Sequence, residues 1–207
     1  MPAPTQPVLL LIAAPSGGGK TTVCQQLLAT VPGLSRVVTC TTRPPRAGEQ
    51  DGVDYHFLTE PDFDRRVVAG EFLDHARVSG HRYGTLQAEV LTRLGAERNV
   101  LLNVDVQGAA SIRALAANVP ALRAALVTVF LTPASLDVLA ERLARRGQDA
   151  PDVMARRLAA ARAEIAQWGQ FDYLVPSTTM AEDLRRVRSI LESEQLRTSR
   201  VNVAPAT

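Results

Sequence analysis

Hydrophobic positions along this chain fall into two patterns. Residues 8–14 (VLLLIAA) are apolar without alternation, and residues 99–106 (NVLLNVDV) and 125–131 (ALVTVFL) are nearly so. Such runs predict strands covered on both faces. Shorter strands are expected over 36–41 and over 172–175, the latter closed by Pro176. Mixed apolar and polar stretches predict helices over about 20–29, 60–69, 86–94, 108–118, 133–146, 152–167 and 181–197. Pro32 and Gly33 end the first helix, Gly70 stops the second, and Gly147 to Pro151 separates two of the others. The polar stretch 39–83 has small elements of its own. These are a strand at 55–58 and a hairpin of 72–78 and 81–83 around Ser79 and Gly80. Strands alternating with helices predict an α/β fold, with a mostly parallel sheet covered on both faces. The stretch 39–83 and the break near Gly147 interrupt that alternation, so substrate-specific parts are expected there.

Composition changes this picture in a few places. The chain has 207 residues, 46% of them apolar, which is enough for one large domain with a sizeable core. A net charge of +2 argues against a nucleic-acid-coating face. Lys20 is the single lysine among 23 basic residues. In so arginine-biased a chain, a retained lysine suggests a task for a compact ammonium rather than a planar fork. Cys24 and Cys40 form no ligand-spaced cluster and read as reduced thiols of a cytoplasmic protein. His56, His75 and His81 also lack metal spacing. The run 8–14 is too short to span a membrane or serve as a signal. Residues 1–6 and 201–207 read as frayed tails.

The candidate chemistry begins at Ala14-Pro-Ser-Gly-Gly-Gly-Lys-Thr21, between a buried strand and a helix, the context a phosphate-binding loop requires. Gly17, Gly18 and Gly19 let backbone N–H groups converge on phosphate oxygens, and the helix N-terminus adds positive potential. Lys20 would reach the β- and γ-phosphates and the Thr21 hydroxyl would ligate Mg²⁺. The strict pattern has Gly where Ala14 stands, and a chance GGGK turn is the alternative. Asp105, at the end of an apolar strand, is placed to hold Mg²⁺ through water; otherwise it only caps the next helix. Arg43 and Arg46 lie three apart on a proline-stiffened loop and could clamp a phosphate, with Tyr55 as a further donor. An ordinary solvated loop has the same composition. Arg142, Arg145, Arg146, Arg156 and Arg157 flank the Gly147 break and could close over transferring phosphates. They also suit a solvated face with pairs such as Glu141 and Arg145.

Taken together, these segments resemble guanylate kinase in its bacterial form, over about residues 7–200. The A-P-S-G-x-G-K loop matches that form, Ala14 included. The stretch T-T-R-x-P-R-x-G-E followed by G-x-D-Y (residues 41–55) is the most specific signature. The resemblance implies a P-loop nucleoside monophosphate kinase fold with a core of about 7–38, 85–135 and 170–200. It implies a GMP-binding region of about 39–84 and a lid of about 136–160. It implies ATP contacts from Ala14, Pro15, Ser16, Gly17, Gly18, Gly19, Lys20, Thr21 and Thr22. For GMP it implies Arg43, Arg46 and Tyr55 on the phosphate, with Glu49 ordering the loop and the Tyr83 hydroxyl adding a contact. Asp74, Thr85 and Thr39 would read guanine, and Asp105 would serve both the acceptor and Mg²⁺. Lys20, Arg142, Arg146 and Arg157 would be catalytic. The implied reaction is ATP + GMP to ADP + GDP, with dGMP also accepted, in purine metabolism and GMP recycling.

Three positions depart from that family's pattern. It usually has Glu where Asp74 stands, often an acidic residue where Asn103 stands, and often Asn-Asp-Asp where Ser177-Thr-Thr179 stands. Other readings are a P-loop kinase with a different acceptor, a regulatory GTPase and a non-catalytic scaffold. The GTPase base-reading N-K-x-D needs a second lysine, which this chain lacks. Scaffold relatives carry a degraded loop, whereas Lys20 and Thr21 are present here.

Overall fold

The computed structural model describes residues 5–15, 17–78, 80–144 and 151–201, apart from the side chains of 142, 143, 151 and 152. In chain order its strands are β1 (Leu9–Ala13), β2 (Leu34–Arg36), β3 (Thr39–Thr41), β4 (Tyr55–Phe57), β5 (Phe72–Val78), β6 (His81–Leu86), β7 (Asn99–Asn103), β8 (Leu126–Pro133) and β9 (Tyr173–Ser177). Its helices are α1 (Lys20–Thr30), α2 (Glu60–Val68), α3 (Gln87–Gly95), α4 (Val106–Ala116), α5 (Pro120–Ala125), α6 (Leu136–Ala144), α7 (Pro151–Ile165) and α8 (Met180–Gln195).

β1 lies at the centre of a parallel sheet ordered β2-β7-β1-β8-β9. Its alternating side chains serve both faces. Leu9, Leu11 and Ala13 pack with Val90 of α3, Ile112 of α4 and Leu122 of α5. Leu10 and Ile12 pack with Val23 and Leu27 of α1 and Val187 and Leu191 of α8. Every side chain of β1 is fully buried, each leucine contributing on the order of 1.5–3 kcal/mol. The continuous apolar run is thus the consequence of a strand with no solvent face.

The second sheet, ordered β4-β3-β6-β5, is smaller. Its core is Cys40, Phe63 and Phe72, with the two rings stacked 4.5 Å apart. Phe63 comes from α2, whose cap Thr59 accepts from the Asp62 N–H. Gly84 on β6 is required by that stack, since a Cβ there would sit 2.7 Å from carbons of the Phe72 ring.

Several elements differ from the expectation. The strand expected over 36–41 is two strands in two sheets, β2 pairing with β7 and β3 with β4 and β6. Val37 and Val38 between them are buried, so the crossover is as apolar as a strand would be. The strand expected over 99–106 stops at Asn103, because Asp105 caps α4. α5 was not expected. Pro176 lies within β9 rather than after it, which an edge strand tolerates. Thr5 and Gln6, expected in a frayed tail, are tied down. Thr5 bridges Val201, and the Gln6 N–H donates to the Arg200 carbonyl at 2.7 Å. Among the described residues no helix is long and apolar enough to cross a membrane.

Candidate active site

The turn from β1 into α1 is built of backbone. Gly17 and Gly19 have φ of +86° and +89°, the left-handed region that favours glycine. Gly18 donates to the Pro15 carbonyl at 2.9 Å, and a Cβ on it would stand 3.0 Å from the Ala14 Cβ. Gly19 caps α1 with no side-chain hydrogen bond, and the first turn has no acidic residue. Its leading N–H groups and their positive potential therefore face the cleft, which suits an anion. That cleft, of about 380 Å³, is lined by Ala14, Pro15, Gly17, Gly18, Gly19, Lys20, Thr21, Thr22, Asp105 and Glu164. Ser16 lies outside the described residues.

The Lys20 ammonium donates to the Val104 carbonyl. Burial pushes its pKa down from the ordinary lysine value, and the nearby Asp105 opposes that shift. Asp105 lines the cleft, and its Oδ1 accepts from the Gly108 N–H at 2.7 Å to cap α4.

A second cleft, of about 390 Å³, shares Thr21 with the first. Thr39, Tyr55, Thr85, Asn103 and Arg36 also line it. Strand register brings these together: β3 sets Thr39 opposite Tyr55, and β5 sets Asp74 opposite Thr85. Asp74 is half-buried. Its carboxyl is pushed above the usual aspartate range by burial, and further by Asp105. The loop after β3 carries the arginines. Arg43 Nη2 donates to both carboxylate oxygens of Glu49, at 2.7 and 2.9 Å, and its Nη1 to the Pro44 carbonyl at 2.8 Å. Glu49 also accepts from the Arg46 N–H at 2.7 Å, while the Arg46 residue is exposed. These bonds, Arg43 first, hold the Glu49 carboxyl below its usual range. The Arg43 guanidinium lies 5.5 Å from the centre of the Tyr55 ring, and the Tyr83 ring is 6.1 Å from that of Tyr55. The bonds that Arg43 donates to Glu49 raise its pKa, and the nearby Tyr83 adds to the shift.

The arginines expected in a lid are less fully described. Arg145, Arg146 and the Arg142 side chain lie outside the described residues, and Arg157 is exposed on α7. Ser177 is buried and donates to Asp183 Oδ2 at 2.6 Å, while the Thr178 N–H donates to Asp183 Oδ1 at 3.0 Å. Thr179 caps α8. Two charged lining residues were not expected. Glu164 of α7 stands in the first cleft, two helical turns after Arg157, a spacing that puts both on one helix face. Arg36 ends β2 and donates to the carbonyls of Val53 and Asp54 at 3.2 and 3.4 Å; nothing in its local sequence distinguishes it. Burial pushes the thiol of Cys24 up to about 12 and that of Cys40 up to about 11, so both free cysteines are protonated and unreactive near neutrality.

Among the described residues no group of three or more His, Cys, Asp or Glu is arranged to hold a metal alone. The donors at hand, the Thr21 hydroxyl and the Asp105 carboxylate, fit a hard cation that takes one or two protein oxygens and the rest from phosphate and water.

The family model described as guanylate kinase matches residues 6–194. The guanylate kinase of Granulibacter bethesdensis is 46% identical over 191 residues, covering 92% of this chain and 86% of that one. That of Symbiobacterium thermophilum is 38% identical over 204 residues, covering 99% and 93%. The crystal structure of guanylate kinase from Anaplasma phagocytophilum superimposes with a TM-score of 0.71 at 29% identity, covering 96% of this chain and 92% of that one. With a glycine turn opening a cleft at the start of α1, a second cleft meeting it at Thr21, and relatives matching over nearly its full length, this chain belongs to the guanylate kinase family.

Proposed function

We propose that this protein transfers the γ-phosphoryl group of ATP to GMP, and also to dGMP, giving ADP and the corresponding diphosphate. The observation that carries the reading is that two clefts meet at Thr21, one backbone-lined and anion-receptive, the other lined by Thr39, Tyr55 and Thr85. A donor and an acceptor phosphate brought to either side of one residue can react in line. The acceptor oxygen is already charged, so the reaction needs positioning and charge neutralisation rather than a strong base.

In this reading the N–H groups of the loop and Lys20 hold the donor phosphates. Lys20 exchanges its bond to the Val104 carbonyl for phosphate oxygens. Arg43, held by Glu49 and stacked near Tyr55, takes the acceptor phosphate with Arg46, Tyr55 and Tyr83. Guanine presents adjacent N1–H and N2–H₂ donors beside an O6 acceptor. The Asp74 carboxylate accepts from those donors, with Asp105 behind it, while the hydroxyls of Thr39 and Thr85 serve the remaining polar edge. Adenine would set an unprotonated N1 against the same carboxylate, leaving it unpaired, which is the kind of mismatch that makes a site selective. Thr21 and Asp105 would hold Mg²⁺, which would supply neutralisation of the phosphate charge. Arg142, Arg146 and Arg157 belong to the lid proposed over 136–160, which closes against the GMP region 39–84 to exclude water.

A coupled assay with ATP and Mg²⁺, offering GMP, dGMP, IMP, AMP and UMP in turn, tests the reading. The expected result is turnover of GMP and dGMP with little for AMP or UMP. Turnover of another monophosphate in preference to GMP would assign the acceptor side to a different base.

A further inference from the structure

We infer that Gly108 is a positioning residue for base recognition. It is the shared seat of the two carboxylates, Asp74 and Asp105, that face the acceptor base in the proposed function on which this inference rests. Gly108 stands in the first turn of α4 and is buried. Glycine weakens a helix interior relative to alanine. Gly108 is not among the positive-φ glycines, so backbone conformation does not demand glycine there. The steric surroundings do. A Cβ on Gly108 would lie 2.6 Å from Asp74 Oδ2, 2.8 Å from its Cγ and 3.0 Å from its Oδ1. The whole Asp74 carboxylate is therefore laid across the bare α-carbon of Gly108. The Gly108 N–H meanwhile donates to Asp105 Oδ1 at 2.7 Å. One residue thus sets both carboxylates, through a missing side chain on one side and an amide on the other. This also gives the short Asp74 side chain a fixed seat against α4.

The consequence is a substitution that should leave the fold intact and damage recognition. In Gly108→Ala the atom met first is the end of a side chain, so Asp74 moves and the helix stays. Displacement of a positioned group by about 1 Å can cost up to roughly 10²-fold. The test is steady-state kinetics of the full chain with ATP and Mg²⁺ for the wild type, Gly108→Ala, Asp74→Asn and the double variant. Each is measured with GMP and with AMP, alongside thermal unfolding. The expected result for Gly108→Ala is a KM for GMP raised at least about tenfold, an unchanged KM for ATP and a Tm equal to or above that of the wild type. In the Asp74→Asn background the same substitution should add less than its single effect, the mark of two residues acting through one contact. A KM for GMP within twofold of the wild type, or fully additive effects in the double variant, would overturn the inference while leaving the proposed function standing. A fall in Tm with equal losses toward GMP and ATP would mark a purely structural glycine and overturn it too. Failure of the wild type itself to phosphorylate GMP would remove both.

Discussion

The two sheets of this protein carry the two halves of the proposed site and are built differently. The five-stranded sheet has β1 buried on both faces, and the proposed donor side is made of backbone N–H groups at its C-terminal edge. The four-stranded sheet has a core of three buried side chains, and the proposed acceptor side is made of side chains that its strands bring together with those of α1, β2 and β7. Backbone recognition needs glycines and a helix start, so it tolerates change in neighbouring side chains. Side-chain recognition depends on packing that a single methyl group can disturb.

The comparison can be broken at four points. The largest effect is expected for Lys20→Ala, which removes the ammonium facing the donor phosphates from an otherwise intact scaffold. Phosphoryl transfer should fall by about 10²–10³-fold or more in kcat, with circular dichroism and Tm near those of the wild type. Near-normal turnover would take Lys20 out of the mechanism. Gly84→Ala comes next, because the new Cβ would meet the Phe72 ring in the small core. Overpacking should destabilise the chain by about 1–3 kcal/mol, measured by urea unfolding, and raise the KM for GMP more than that for ATP.

Asp74→Asn should weaken GMP binding by roughly tenfold, as one charge-assisted pair is lost. Its effect on stability has the opposite sign. Burial, and then Asp105, raise the folded-state pKa of Asp74. A raised carboxyl pKa contributes stability below the unfolded value, near 3.9, and that contribution is lost as pH rises through the folded value. At pH 7 the ionised group is therefore a cost that asparagine removes, and Tm should rise. The rise should shrink as pH falls toward 4. A lower Tm at pH 7 would contradict the burial argument. The smallest effect is expected for Glu49→Gln, which loosens Arg43 on a partly exposed loop. The KM for GMP should rise roughly two- to fivefold with kcat and the KM for ATP unchanged.

What could be read from the sequence follows the same division. The buried strands, the helices and the donor loop were legible because each is a local pattern: a continuous apolar run, a glycine turn, a lysine. The hairpin of β5 and β6 was legible for the same reason. The crossover at Val37 and Val38 was not, because burial between two sheets looks like burial within one. Pro176 reads in the sequence as a stop, since the edge position that tolerates it is a property of the assembled sheet. The family signature implies only that Glu49 orders its loop; its pairing with Arg43 is a contact within that loop that the folded chain shows. Glu164, Arg36 and Gly108 reach the site from separate elements, and no local pattern marks them.

The central claim is that the two clefts are one site divided at Thr21. A guanosine and an adenosine joined through a polyphosphate chain span both halves, and calorimetric titration of this compound tests the claim directly. The account predicts one equivalent bound at least about 10²-fold more tightly than GMP or ATP alone, with both nucleotides competing against it. An affinity no better than that of either nucleotide, or competition by only one of them, would contradict it.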